Sequence, residues 1–207
     1  MRFIIKHQEE YSRAELVLRT LFGALYIAIP HGILLIFVGI WSLILWFFSF
    51  WVILFTGKYP PSFFDFQVKY FHWNNRVNAR LFNLVDGYPS FGLSKNDDLT
   101  DFDIKIPETS SRSLLLLRFF FAWLYVLIPH GFILYFRAIA SLILAFLAFW
   151  VVLFTGKYPP SWHEFIVGTF RWSQRLNNYL YYMTDEYPPF TGKALANDEG
   201  LFEQRDN

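Results

Sequence analysis

Two histidines are the first candidates for chemistry in this 207-residue chain. His31 and His130 each lie between a proline and a glycine, in Pro30-His31-Gly32 and Pro129-His130-Gly131, and each is embedded in apolar sequence. A neutral imidazole is a good haem or metal ligand, and two equivalent ones could face a common axis. Neither has a second ligand four residues on, nor the carboxylate that usually orients a metal-bound imidazole. The plainer expectation is that each satisfies backbone groups freed at a helix break, with no metal and no cofactor. His7, His72 and His163 have no histidine at the equivalent place in the other half and are expected at the surface.

The second candidate constellation is Trp73 with Arg76, repeated as Trp172 with Arg175. Residues three apart are neighbours on a helix, so a ring at the acyl boundary could sit beside a guanidinium on a lipid phosphate. The competing expectation is an internal staple in which the arginine pairs with Asp86 or Asp185. No hydrolase elbow, Walker loop, zinc-protease helix or dinucleotide fingerprint occurs, so no catalytic residue is assigned. Thr56-Gly57-Lys58 lacks the glycine spacing of a phosphate loop.

Composition says what must position these residues. The chain is 55% hydrophobic and 22% aromatic, more than a soluble domain of this size uses in its core. A net charge of +1 argues against nucleic acid as a partner, and the absence of cysteine excludes disulfides and thiolate metal sites. The start of the chain lacks the apolar core of a signal peptide, so insertion would rely on internal helices.

Those helices come as a tandem duplication. Trp51-Val-Ile-Leu-Phe-Thr-Gly-Lys-Tyr-Pro-Pro-Ser62 returns almost unchanged at 150–161, and every matched pair is separated by 99 positions. From Arg19 to Lys58 no side chain carries a formal charge if His31 is neutral, a run far longer than the ~20 residues of one span. Pro30-His31-Gly32 is the expected break, with Pro129-His130-Gly131 its equivalent, giving helices over 13–29 and 33–55 joined as a hairpin. Ser12 and Glu15 read as a capping box. Lys58, Tyr59 and Pro60, with Lys157, Tyr158 and Pro159, read as membrane exits. After them, apolar residues at Phe63, Phe66, Tyr70, Trp73, Val77, Leu81 and Leu84 make one stripe of a helix capped by Ser62 and expected to lie in the headgroup layer. Short strands over 3–6 and 102–106 are expected to pair across a pseudo-symmetry axis.

The expected fold is therefore an all-α membrane protein with four transmembrane helices in two tandem hairpin repeats, each with a short N-terminal strand and a C-terminal amphipathic interfacial helix. Repeat 1 covers 1–92, a linker 93–100, repeat 2 101–190 and a polar tail 191–207. Basic residues before the first and after the second helix of each repeat put both ends in the cytoplasm. Arg137 replaces Val38 and could snorkel or face the bundle interior.

Leu-Phe-Thr-Gly-Lys-Tyr-Pro-Pro-Ser, the later Phe165, Val167, Gly168, Arg171 and Trp172, and Asp185-Glu-Tyr-Pro-Pro-Phe190 together resemble the bacterial membrane family known as domain of unknown function 4389. The resemblance covers both halves. The first copy departs from it with Lys69 where the second has Gly168 and Ser90 where the second has Pro189. It implies a multi-pass protein of the bacterial cytoplasmic membrane and transfers no catalytic residue. The expected function is a noncatalytic subunit or scaffold with membrane lipids and a membrane protein as partners. A lipid-binding or lipid-translocating protein is the alternative, and a bis-histidine haem protein the weaker one.

Overall fold

The computed structural model describes residues 1–94 and 97–195. Each half runs strand, long helix, second helix: β1 (Arg2–Ile5), α1 (Arg13–Gly23), a π-helical segment (Ala24–Ala28), α2 (Ile29–Thr56) and α3 (Pro61–Leu81). The second half repeats this as β2 (Thr100–Asp103), α4 (Arg112–Ala122), a π-helical segment (Trp123–Leu127), α5 (Ile128–Thr155) and α6 (Pro160–Leu180).

The expected hairpins are not present. Arg13–Thr56 and Arg112–Thr155 are each one unbroken 44-residue helix, long and apolar enough to cross a membrane, so two candidate spans replace four. Pro30 and Pro129 do not turn the chain because a π segment lies immediately upstream, where the Ile29 N–H reaches back five residues to the Ala24 carbonyl. Pro30 and Pro129 are the second residues of the α-helices that follow, and proline is tolerated in a first turn, where its fixed φ already suits the helix. Gly32 and Gly131 are likewise not turn residues: neither has a positive φ, and a Cβ at either would enter open space. The π segment also keeps the buried stripe in phase. Leu16, Arg19, Gly23, Ile27, His31, Ser42, Leu45, Ser49 and Ile53 are buried along one side of the first long helix, through the bulge and beyond.

Ser12 and Ser111 cap the two long helices, accepting from the N–H groups of Glu15 and Leu114. Gly57 and Gly156 end them in the left-handed region, with φ of +73° each, a conformation that glycine adopts without steric cost. The expectation of Ser62 as a cap is corrected: Pro60 holds the N-cap position of α3, and Pro61 starts the helix.

The halves are related by a pseudo-twofold axis. β1 and β2 pair antiparallel with Phe3 opposite Phe102, its own equivalent, and the Asn75 amide donates to Gln174, again its own equivalent, at 3.0 Å. Ends are exchanged across the axis. Arg13 donates to the Phe154 carbonyl and Arg112 to the Phe55 carbonyl; the Tyr11 N–H meets the Gly156 carbonyl and the Ser110 N–H meets that of Gly57, both at 2.8 Å. The two long helices are therefore antiparallel, each start closing the other's end.

α3 and α6 are core-packed helices, which corrects the headgroup-layer expectation. The buried residues of α3 include Gln67, His72, Trp73, Arg76 and Arg80, most of them drawn from the faces read as polar and outward. Ser42 donates to Gln67 and the Gln67 amide returns to the Ser42 carbonyl, fixing α3 alongside α2. Tyr59 and Tyr158 are buried in the main apolar cluster, not placed at a membrane exit, whereas Lys58 and Lys157 are exposed.

His7 and His163, expected at the surface, form an inter-repeat contact. Their rings meet edge to face at 4.9 Å; His163 Nε2 bonds the Leu84 carbonyl and His7 Nε2 the Tyr158 carbonyl. His163 occupies the place of Phe64 in the first repeat, and burial pushes its imidazole down to about 4. The neutral form is native, so stability is unaffected above pH 6.5 and falls between pH 6.5 and 4, where the unfolded chain binds a proton that the native site refuses. We expect a loss on the order of 3 kcal/mol across that window, and a shallower loss in His163→Phe, measured as denaturation midpoints from pH 7 to 4. Equal slopes for the two proteins would show that other groups carry the acid sensitivity.

Candidate functional site

The motif residues of each repeat converge on the proline of its long helix. In the second repeat the Trp172 indole N–H donates to His130 Nδ1 at 3.0 Å. An indole only donates, so Nδ1 must accept and the imidazole proton sits on Nε2. Nε2 then donates to the Tyr187 hydroxyl oxygen at 3.1 Å, and that hydroxyl donates to the Tyr125 carbonyl at 2.9 Å. Tyr125 is four residues before Pro129, so its carbonyl is the one that an uninterrupted α-helix would satisfy with the N–H proline lacks. Phe190 closes the cluster by stacking on His130 with ring centroids 4.0 Å apart and planes 8° from parallel.

The first repeat builds the same arrangement with one link missing. Trp73 donates to His31 Nδ1 at 3.0 Å, Phe91 stacks on the imidazole at 3.9 Å, and Tyr88 donates to the Tyr26 carbonyl at 3.0 Å. The rings of His31 and Tyr88 lie 5.4 Å apart without the hydrogen bond that joins His130 to Tyr187.

Trp73, Arg76, Trp172 and Arg175 are thus inside the protein, which removes them from a headgroup surface. Arg76 is fully buried and its guanidinium donates to the carbonyls of Ser94 and Gly92; Arg175 does the same to Thr191 and Lys193. Each arginine ties down the segment that follows the Tyr-Pro motif. The expected pairing of these arginines with Asp86 and Asp185 is also corrected. The partners are Arg19 and Arg118: Arg19 meets Asp86 at 2.6 Å and Arg118 meets Asp185 at 2.5 Å. The second oxygen of each aspartate accepts the N–H of the cap residue, Ser12 or Ser111. Arg19 has a local partner in Glu15, one helical turn back at 3.0 Å, but nothing local points from Arg19 or Arg118 to an aspartate so far along the chain.

Arg137 faces inward. Its guanidinium donates to the Thr169 hydroxyl and the Phe165 carbonyl and lies 4.2 Å from the centre of the Phe165 ring. A Cβ at Gly168 would come within 2.8 Å of this guanidinium and within 3.0 Å of the Gly192 carbonyl oxygen. The departure of the first repeat follows: with Val38 in place of Arg137, position 69 has room for lysine, and Lys69 pairs with Asp65.

Chemically this site holds shape. The His130 nitrogens are both committed to protein partners and both imidazoles are covered by a phenylalanine face, an arrangement that does not fit axial haem ligation. No group of three or more metal-ligating side chains occurs among the described residues. Tyr88, Tyr187, Phe91 and Phe190 were missed as site residues. Their signal was the repeat itself, since Asp-Gly-Tyr-Pro and Asp-Glu-Tyr-Pro recur at the same offset as the Pro-His they serve.

The family model described as domain of unknown function (DUF4389) matches residues 13–92 and 112–192. No curated protein and no solved structure matches the chain.

Tyr187→Phe removes the donor to the Tyr125 carbonyl and should cost about 1 to 2 kcal/mol of stability. In a Pro129→Ala background, where the helix regains its own N–H, the same substitution should cost less, and denaturation of the four proteins in one detergent measures the difference. Additive costs would mean that the hydroxyl does not serve the proline.

Proposed function

The chain belongs to the DUF4389 family, in two tandem copies, and from that premise we propose that it is a noncatalytic scaffold of the bacterial cytoplasmic membrane, a platform that anchors or assembles a larger complex. The observation that carries this reading is the direction of the side chains. Motif residues that could have done chemistry turn inward around the proline of each long helix, and the outward face of both long helices is largely apolar. Phe22, Phe37, Phe47, Phe55, Phe120, Phe132, Phe146 and Phe154 are all exposed, an area that water does not tolerate on a monomer. Lys58 and Lys157 stand exposed at its ends, suited to anionic headgroups. The excess of arginine and lysine around both long helices supports termini on the cytoplasmic side.

Lipid handling is the second reading, with a different site from the one expected. A cleft of about 320 Å³ opens beside the long helices, lined by Leu43, Trp46, Arg118, Phe119, Trp123 and Tyr182. Its apolar and aromatic walls suit an acyl chain, while the Arg118 guanidinium is already committed to Tyr179, Thr184 and Asp185.

Gentle detergent extraction, affinity purification and cross-linking mass spectrometry of the full chain test the scaffold reading. We expect the chain in the membrane fraction with a protein partner in fixed ratio, cross-linked through lysines of the polar face. A chain that stays in the soluble fraction, or a lone monomer that turns over a substrate, would overturn it.

A further inference from the structure

Resting on membrane association, we infer that the two long helices do not cross the bilayer but lie along one leaflet, with α3, α6 and the strand pair on the water side. Three observations carry this. The first is length: a 44-residue helix extends about 66 Å at 1.5 Å per residue, roughly twice the ~30 Å hydrocarbon core. The exposed apolar residues do not stop at a 30 Å band; on the first helix they run from Leu18 to Phe55, and on the second from Leu116 to Phe154.

The second is the polar helix alongside. α3 lies against α2 from Gln67 at Ser42 to Trp73 at His31, so an upright α2 would carry α3 into the hydrocarbon with it. α3 bears the exposed pair Asp65 and Lys69 and does not qualify as a span. Charges at that depth cost several kcal/mol each without a partner or cavity.

Symmetry supplies the third. Because the long helices are antiparallel, the pseudo-twofold axis is perpendicular to them. Upright helices would lay that axis in the membrane plane, and the strand pair, which sits on it, would fall at the bilayer midplane. That pair carries the Arg2–Asp101 ion pair, half open to solvent, and open strand edges that hydrocarbon does not satisfy. Turning the axis along the membrane normal resolves all three conflicts at once. Both apolar faces then meet the acyl region to a similar shallow depth, as interfacial helices do, and the strands stay in water.

The natural absence of cysteine permits the test on the full chain. Phe22→Cys, Phe37→Cys and Phe55→Cys sample the exposed stripe at its start, middle and end, and Asp65→Cys samples the polar side. Each is labelled with bimane and reconstituted into phosphatidylcholine–phosphatidylglycerol vesicles with lipids brominated at two depths. The expected result is similar, shallow quenching at all three stripe positions and none at Asp65. Deep quenching at Phe37 between shallow values at Phe22 and Phe55 would mean a crossing helix and overturn the inference while leaving membrane association intact. Vesicles that float without the protein would overturn both. Floating protein whose stripe is unquenched, with cysteine cross-links between copies, would assign the face to a second copy and overturn the lipid seat.

Discussion

A backbone carbonyl without its donor is the constraint on which the rest of the structure depends. Pro30 and Pro129 each deprive a helix of one N–H in the middle of an apolar run, and the carbonyl so freed is satisfied from elsewhere in the chain. The protein answers with a tyrosine hydroxyl brought from 62 residues away, and that hydroxyl needs a scaffold of its own. Imidazole, indole and a stacked phenylalanine position it, the aspartate two residues before it is clamped by Arg19 or Arg118, and the segment beyond is tied by Arg76 or Arg175. The Pro-His, Trp-x-x-Arg and Asp-x-Tyr-Pro motifs of both repeats are accounted for by this one requirement.

Polar groups share the interior with an apolar cluster as a consequence. Guanidinium groups, imidazoles and amides are buried beside it with protein partners, while phenylalanine and leucine cover much of the outside. Burying charge is stabilising only when partners are complete, and here the carbonyls freed at helix ends and loop turns serve as many of those partners. Arg118 alone donates to the carbonyls of Tyr179 and Thr184 and to Asp185, beneath the ring of Tyr182.

Sequence made the duplication, the 99-residue register, the Ser12 cap and the strand pairing legible, because each is a local pattern or a comparison of the chain with itself. The strands lie at 2–5 and 100–103, within two or three residues of their expected places. The helix break was misread for a physical reason: proline with glycine does end helices where water can take up the freed carbonyl, and nothing local announces that Tyr88 is available to do so. The Trp and Arg pairs follow the internal-staple expectation in being buried, but their arginines hold loop carbonyls and not Asp86 or Asp185. Their spacing was right and their helix was right, but an amphipathic pattern does not say which face is covered, and α3 turns Arg76 and Arg80 toward the covered side. Arg80 finds Asp97 there, at 2.6 Å, a partner beyond the range of helical spacing.

The exchanged ends have a consequence for how the chain acquires its structure. The Tyr11 N–H closes on Gly156 and Arg13 on Phe154, contacts spanning more than 140 residues, so the first repeat leaves the ribosome with its helix start open and its Gly57 end uncovered until Ser110 and Arg112 follow. Non-local closures of this kind slow folding, because loop entropy is lost before any contact repays it. During that interval an apolar helix of 44 residues stands without its complement. The early chain is therefore a client for whatever holds nascent hydrophobic segments, and the two halves mature together or not at all.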